Sequence, residues 1–136
     1  FYALRRPMRL RRRAEDDMRI MVTGSRYWTD VTALGLALQS EAGATPPADL
    51  TLIHGDAQGA DRAAASYAEG LGWTVQAYPP DPPGAGPQLT ARNQAMIDSG
   101  PDVVLAFPLP GSVGTWDTVN RAKRAGITVR ISKPSA

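Results

Sequence analysis

Glycine, hydroxyl and arginine residues, which together can bind a phosphate group, recur in four short segments of this sequence. Glycine lets backbone N–H groups approach an anion closely, and arginine recognises phosphate through paired hydrogen bonds. The same segments contain a histidine, an aspartate and an asparagine. We therefore predict a single ligand-binding site composed of Gly24, Ser25, Arg26, His54, Gly55, Gly59, Asp61, Arg92, Asn93, Pro110, Gly111, Ser112, Gly114 and Thr115.

The segment around Ser112 is a candidate anion-binding loop. Gly111 and Gly114 flank the serine, and Thr115 stands at the start of a predicted helix, whose N-terminus adds positive potential. An ordinary strand-to-helix turn with a serine or threonine cap explains the same residues without a ligand. The segment lacks the lysine of a Walker A loop, and the segment that begins at Gly24 lacks the G-x-G-x-x-G pattern of classical dinucleotide binding.

Several of the remaining polar residues have two possible interpretations. Asp61 either accepts hydrogen bonds from ribose hydroxyls or interacts with a helix dipole. Arg92 suits phosphate recognition, whereas Asn93 falls on an apolar helix face where its amide needs a specific partner. His54, the sole histidine, is either structural or chemical. Catalytic candidates are Asp61, Arg92 and Asp117, and because no second His, Cys or carboxylate cluster accompanies them, we predict neither a metal nor a cofactor.

Short apolar runs alternate with helical patterns along the chain, which positions these polar segments between regular elements. Gly and Pro residues separate the elements, and residues 79–87 contain five prolines and two glycines, so no regular structure is expected there. The pattern predicts strands at 19–23, 50–54, 73–78, 103–107 and 127–131, and helices at 30–42, 59–71, about 89–100 and about 114–125.

Two of the predicted helices have clear inward faces. Asp30 is a plausible N-cap of the first helix. Helical spacing places inward Val31, Leu34, Leu38 and Ala42 in the first helix, and Ala60, Ala64, Tyr67, Ala68 and Leu71 in the second.

Strands that alternate with helices indicate an α/β fold, namely a Rossmann-like, doubly wound parallel sheet of about five strands in a single three-layer αβα domain. In such a sheet, ligands bind beyond the carboxyl ends of the strands, near the topological switch point. The loops after strands one to four share that edge, and they contain the predicted site residues. Tyr27 and Trp28 either stack on a base or plug the sheet edge, and we favour the plug.

The basic character of the chain is concentrated at its start. Residues 1–17 contain six arginines against three acidic residues, whereas residues 18–136 contain nine Lys or Arg against ten Asp or Glu. We interpret residues 1–17 as a disordered or non-native leader and residues 18–136 as the nucleotide-binding domain. The chain has no cysteine and no apolar run of membrane-spanning length, so we expect a soluble, cytoplasmic protein without membrane partners.

Taken together, the four polar segments resemble the SLOG superfamily, and within it the YspA/cpYpsA-related branch. The superfamily is Rossmann-like and includes the LOG proteins and DNA-processing protein A. The resemblance implies a pocket for a nucleotide or nucleotide derivative, often in a homo-oligomer. Its matching residues are Val22-Thr23-Gly24-Ser25-Arg26 with Trp28, His54-Gly55 with Gly59-Ala60-Asp61, Gly86-Pro87 with Arg92-Asn93, and Phe107-Pro108 with Gly111 and Gly114-Thr115.

LOG enzymes cleave the N-glycosidic bond of nucleoside monophosphates, and their signature is P-G-G-x-G-T-x-x-E. This sequence is similar at 110–115, except that Ser112 replaces the second glycine, and Thr118 occupies the glutamate position. A threonine cannot act as a carboxylate acid or base. Asp117 is adjacent, but one residue along a helix turns a side chain by about 100°. The departure weighs against hydrolysis by that mechanism.

Three functions follow from these observations, in order of preference. The first is binding of a nucleotide or nucleotide-derived phosphate ligand by a sensor or sequestering module. The second is hydrolysis of a nucleotide N-glycosidic bond through Asp61 or Asp117 with Arg92. The third is single-stranded DNA binding, which the near-neutral charge of residues 18–136 disfavours.

Overall fold

A computed structural model describes residues 17–84 and 86–134, and residues 1–16 of the predicted leader at 1–17 lie outside the described residues. Within the described ranges, the predicted alternation of five strands with four helices is confirmed, and one short 3-10 turn, Pro47–Asp49, precedes the second strand. The elements are β1 (Met18–Gly24), α1 (Val31–Ala42), β2 (Leu50–His54), α2 (Ala60–Gly70), β3 (Thr74–Ala77), α3 (Pro87–Asp98), β4 (Val103–Phe107), α4 (Val113–Arg124) and β5 (Thr128–Ile131).

The five strands form one parallel sheet in the order β3-β2-β1-β4-β5, which confirms the Rossmann-like prediction. Met21 of β1 pairs with Ile53 of β2 on one side and with Val104 of β4 on the other. The chain runs outward from β1 to β3 and then returns to place β4 on the opposite side of β1. The topological switch point therefore lies between β1 and β4, where a ligand crevice is expected.

Helices cover both faces of the sheet. Successive residues of β1 alternate between the two layers, since Ile20 packs with α1 and α2 while Met21 packs with α3 and α4. All five residues of β4 are buried, as expected for a strand between two helical layers. This three-layer arrangement holds the carboxyl ends of β1 and β4 side by side.

Two predicted inward positions are wrong, and two strands are shorter than predicted. Val31 is exposed because it is the first residue of α1, beside the Asp30 cap, before the helix crosses the sheet. Leu71 is exposed because it follows Gly70, the last residue of α2. The predicted strands 73–78 and 127–131 are reduced to β3 and β5, the two edge strands, where pairing comes from one side only.

The loop after β1 is anchored by one tryptophan. Trp28 is only 4% exposed, and its ring packs edge-on against Phe107 with a centroid distance of 5.3 Å. Its indole Nε1 donates to the carbonyl of Asp30, 3.0 Å away, while the Asp30 side chain accepts from the backbone N–H of Ala33. The predicted plug is therefore Trp28 alone, because Tyr27 is 73% exposed.

Gly24 ends β1 where the strand approaches α2 most closely. A Cβ atom at this position would lie 2.5 Å from the Cβ of Ala60 and 2.9 Å from the Cβ of Phe107. Those distances are far below van der Waals contact, so only glycine fits without a backbone shift.

We predict that Gly24→Ala lowers the free energy of unfolding by about 1–3 kcal/mol, because overpacking at a strand–helix contact forces the backbone apart. Urea denaturation measures the change. Gly70→Ala is the matched control, since a Cβ there meets no atom within 4 Å. Equal stability of the two variants would show that β1 and α2 can separate at no cost.

Candidate functional site

A cleft of about 380 Å³ opens over the carboxyl ends of β1 and β4, at the topological switch point. It brings together residues from all four predicted segments, including the set on which a shared site depends: Arg26, Asp61, Arg92 and the 111–115 loop. Eleven of the fourteen predicted ligand residues line this cleft: Gly24, Ser25, Arg26, Asp61, Arg92, Asn93, Pro110, Gly111, Ser112, Gly114 and Thr115.

The other three predicted residues lie outside the cleft lining. His54 borders a separate shallow pocket with Asp56, and its Nδ1 accepts a hydrogen bond from the Asp56 N–H at 2.9 Å. Burial lowers the pKa of His54, so the imidazole is neutral near pH 7. Gly55 packs against the Arg92 guanidinium, and Gly59, with φ +75°, lets its backbone touch Arg26. Both glycines shape the site without facing it.

Ser25 uses its polar groups to shape the loop after β1. Its backbone N–H donates to Phe107 at 2.9 Å, its carbonyl accepts from Trp28 and Ala60, and its hydroxyl oxygen accepts from the N–H of Tyr27 at 3.0 Å. These bonds place the exposed Arg26 and Tyr27 at the mouth of the cleft. The guanidinium carbon of Arg26 lies 5.6 Å from the centroid of the Tyr27 ring. The loop thus presents one cation and one aromatic ring to solvent.

The loop before α4 leaves the start of that helix open. Ser112 is the N-cap residue, yet its hydroxyl accepts from the N–H of Leu109 at 2.9 Å and makes no cap bond to the helix. Gly111 has φ +84°, a conformation that favours glycine. The first turn of α4, which includes Gly114, therefore borders the cleft without a side-chain cap at its positive dipole end, in contrast to α1 with its Asp30 cap.

The backbone of Gly55 is held between two ionisable side chains, one bonded to its N–H and the other to its carbonyl. Asp61 Oδ2 accepts from the Gly55 N–H at 2.8 Å, and Arg92 Nη1 donates to the Gly55 carbonyl. Arg92 Nη1 also donates to the carbonyl of Tyr78 at 3.1 Å, and its Nε donates to the Asn93 amide oxygen at 2.9 Å. Nε and Nη1 of Arg92 are therefore engaged by protein groups beside the cleft that Arg92 lines, and phosphate binding by this guanidinium stays a prediction.

Asp61 is the most perturbed acid of the described residues. It is 4% exposed, and desolvation raises the pKa of its carboxyl to about 7, although hydrogen bonds from Gly55 and Ala57 oppose the rise. Within residues 17–84 and 86–134, its Oδ1 is buried and has no hydrogen-bond partner. Because Asp61 lines the cleft, a bound donor can supply the missing bond.

Asn93 finds the partner that its apolar setting required. Its Nδ2 donates to Asp117 Oδ2 at 3.0 Å, and Arg121 Nε donates to the same oxygen at 2.8 Å. The bond from Arg121 is the largest cause of the lowered pKa of Asp117, which is therefore ionised. Asp117 lies outside the cleft lining, in an adjoining pocket, and Thr118 is buried with its hydroxyl donating to Gly114. Neither side chain takes the place of a LOG glutamate in the cleft.

Apolar residues complete the cleft, and the sequence offered no signal for most of them. Leu89, Met96 and Val113 line it together with Thr23 and Ala57. Leu89 and Met96 follow the helical spacing of core residues, so they could not be told apart from the core by pattern. Only Val113, beside the glycine loop, could have been predicted from its neighbours.

Two features are absent from the described part of the chain, a metal site and a membrane-spanning helix. Residues 17–84 and 86–134 contain no group of three His, Cys, Asp or Glu side chains arranged to hold a metal ion. None of the helices in these ranges has both the length and the apolar character needed to cross a bilayer.

Comparison with known sequences identifies the family. A family model described as YAcAr, the YspA, cpYpsA-related SLOG family, matches residues 18–82. The Gene 61 protein of Mycobacterium phage D29 is 39% identical over 117 residues, which cover 82% of this chain and 93% of the phage protein. The chain belongs to the YspA/cpYpsA-related SLOG family. The resemblance inferred from the four polar segments is thereby confirmed.

Solved structures support the fold of this SLOG protein. DNA processing protein A from Streptococcus pneumoniae superposes with a TM-score of 0.69 at 20% identity, over 88% of this chain and 51% of that one. DNA processing protein A from Helicobacter pylori, whose single-stranded DNA binding mode has been described, superposes with a TM-score of 0.59 at 16% identity. The match covers 88% of this chain and 66% of that one. The SLOG chain thus spans about half and about two thirds of these proteins, and identities this low establish a shared fold alone.

We predict that Asp61 makes this SLOG protein less stable as the pH rises. A folded pKa of about 7 exceeds 3.8, the ordinary pKa of an aspartate, so the contribution of Asp61 to stability is fully present below pH 4 and is lost as the pH rises through 7. Asp61→Asn keeps an acceptor for Gly55 and cannot ionise. We expect the free energy of unfolding of the variant, relative to that of wild type, to rise by up to about 4 kcal/mol between pH 4 and pH 8. Urea denaturation measures this difference.

Asp98→Asn is the control for this pH series, because Asp98 is an exposed aspartate at the end of α3. Its stability relative to wild type is expected to stay nearly constant across the same range. A parallel response of the two variants would mean that Asp61 titrates like an ordinary surface carboxyl.

Proposed function

We propose that the cleft binds a nucleotide or nucleotide-derived phosphate ligand, and that the protein acts as a sensor or sequestering module for it. The observation that carries this proposal is the meeting of an uncapped helix N-terminus, an exposed arginine and a buried carboxyl oxygen without a partner in one crevice. The uncapped first turn of α4 and Arg26 supply positive potential for a phosphate. The crevice lies at the place where this fold class binds such ligands.

The sugar and base would occupy the remaining surfaces of the cleft. Asp61 Oδ1 is the acceptor available for a ribose hydroxyl on the floor of the cleft. Leu89 and Met96 offer apolar contact, and the exposed ring of Tyr27 offers a face for stacking at the mouth. The ligand class is therefore one that combines an anion, a hydroxylated sugar and a flat ring.

Binding is favoured over cleavage because the cleft has few acid–base groups. Hydrolysis of an N-glycosidic bond needs a carboxylate at the reacting centre. Thr118 is buried and bonded to Gly114, and Asp117 is paired with Arg121 outside the cleft. Asp61 alone remains, with a pKa near 7 that would suit an acid or base. Release of free base from AMP, abolished in Asp61→Asn, would support hydrolysis instead.

We predict that Gly114→Ala weakens nucleotide binding about tenfold to hundredfold, the worth of one or two hydrogen bonds to a charged group. Gly114 lines the cleft in the first turn of α4, and a Cβ there meets no atom within 4 Å outside its own helix turn, so the added methyl would compete with an anion for the open space. Stability should rise slightly or stay constant, since alanine favours helix over glycine. Calorimetric titration with AMP, ADP and ADP-ribose measures the affinity.

Gly70→Ala makes the same chemical change at the end of α2, again with no atom within 4 Å, and should leave binding unchanged. Equal affinity of the two alanine variants would remove the anion site from the start of α4. Failure of the wild type to bind AMP, ADP and ADP-ribose at millimolar concentration would overturn the proposal itself.

Single-stranded DNA binding is the second candidate, and the likeness to DNA processing protein A favours it. The Helicobacter pylori protein binds single-stranded DNA, and Arg26 with Tyr27 would offer one cation and one stacking ring to a strand. Fluorescence anisotropy with labelled (dT)20 tests this function. If residues 18–136 bind the strand, Arg26→Ala should weaken binding. If the basic residues 1–17 bind it instead, binding should weaken only when the six arginines between residues 5 and 13 are replaced by serine.

A further inference from the structure

A second pocket adjoins the cleft and shares the loop at 111–113 with it. It is shallow, has a volume of about 400 Å³, and is lined by Gly111, Ser112, Val113, Trp116, Asp117 and Asn120. The first three of these residues also line the cleft, so the loop at 111–113 is a wall shared by both pockets. A ligand whose phosphate lies against this loop can therefore extend into either pocket.

One wall of the second pocket is an exposed aromatic ring. Trp116 is 41% exposed, whereas Trp28 and Trp73, the other tryptophans of the chain, are 4% and 7% exposed and belong to the core. Val113, Trp116 and Asn120 are spaced three and four residues apart, which places them along one face of α4. An exposed indole on a pocket wall is the kind of platform on which nucleobases stack.

The polar residues of the second pocket suit the edge of such a ring. Asn93 and Arg121 hold the carboxylate of Asp117 in place, and the Arg121 bond keeps its pKa low. The exposed amide of Asn120 has both a donor and an acceptor. The pocket thus combines a flat apolar wall with hydrogen-bonding groups at its edge.

We propose that this pocket binds a nucleobase stacked on Trp116, and that the ligand therefore carries a nucleoside on each side of the phosphate at the 111–113 loop. The proposal rests on the proposed function, because it takes the phosphate position from the cleft. Two nucleosides joined through a phosphate occur both in free dinucleotides and in oligonucleotide strands, and the experiment below separates these sources.

Intrinsic fluorescence tests the proposal on the full chain, because Trp116 is the exposed tryptophan and its emission should be quenched when a base stacks on it. The probes are the dinucleoside monophosphates ApA, GpG, CpC and UpU. Each is compared with the methyl ester of the matching mononucleotide, which has the same phosphodiester charge and one base fewer. At least one dinucleoside monophosphate should quench the emission and bind about tenfold more tightly than its methyl ester.

Variants assign the effect to the ring. Trp116→Phe should keep most of the gain in affinity and lose the quenching, and Trp116→Ala should lose the gain. Leu71→Ala removes an exposed apolar side chain at the opposite edge of the sheet, beyond the end of α2, and should behave as wild type. A 12-nucleotide strand that binds more tightly than the dinucleoside monophosphate indicates a strand as the source, and equal affinity indicates a free dinucleotide.

Equal affinity of the dinucleoside monophosphates and their methyl esters, in wild type and Trp116→Ala alike, would overturn this inference and leave the proposed function standing. If the dinucleoside monophosphates bind more tightly than their methyl esters and this gain persists in Trp116→Ala, the inference would also be overturned. Absence of binding by every probe, together with AMP, ADP and ADP-ribose, would overturn both proposals.

Discussion

The cleft depends on the backbone of one residue, Gly55, whose N–H and carbonyl are bound by the carboxyl of Asp61 and the guanidinium of Arg92. The N–H donates to Asp61 Oδ2 at 2.8 Å and the carbonyl accepts from Arg92 Nη1, so the end of β2 is tied to the start of α2 and to the middle of α3. A side chain at Gly55 would collide with the guanidinium. The Gly55 backbone thus joins two side chains that both line the cleft, and it fixes their positions relative to each other.

Holding Asp61 in this way has an electrostatic cost that the fold leaves partly uncompensated. Desolvation outweighs the backbone hydrogen bonds and raises the pKa of the carboxyl to about 7, and Oδ1 has no partner within residues 17–84 and 86–134. Buried polar groups without partners are rare in folded proteins and are commonly explained by a function or a bound molecule. A ligand hydroxyl at Oδ1 would supply the missing bond, which makes binding and stability two aspects of the same side chain.

The sequence predicted the element order, the switch-point edge and most of the cleft lining, because alternating apolar runs and Gly/Pro breaks are local signals. Arg92 shows that local signals do not predict hydrogen bonds to residues far away in the chain. Its charge and position suggested a phosphate ligand, but its bonds go to Gly55 and Tyr78, which are 37 and 14 residues away and reach it only through the sheet. His54 likewise turns its ring to Asp56, outside the cleft. Trp116 fits the helical pattern of α4, and nothing local marks its ring as exposed.

The arrangement of Asp117 and Thr118 supports the proposal of binding over bond cleavage. In the LOG signature a glutamate stands where Thr118 is found, and here that threonine is buried with its hydroxyl on the Gly114 carbonyl. Asp117, one residue earlier, turns instead to Asn93 and Arg121 and holds α3 against α4. The carboxylate of α4 therefore joins two helices, while the first turn of that helix has no side-chain cap. An uncapped first turn at the cleft and a helical carboxylate held outside it support the proposal that a nucleotide is bound without being cleaved.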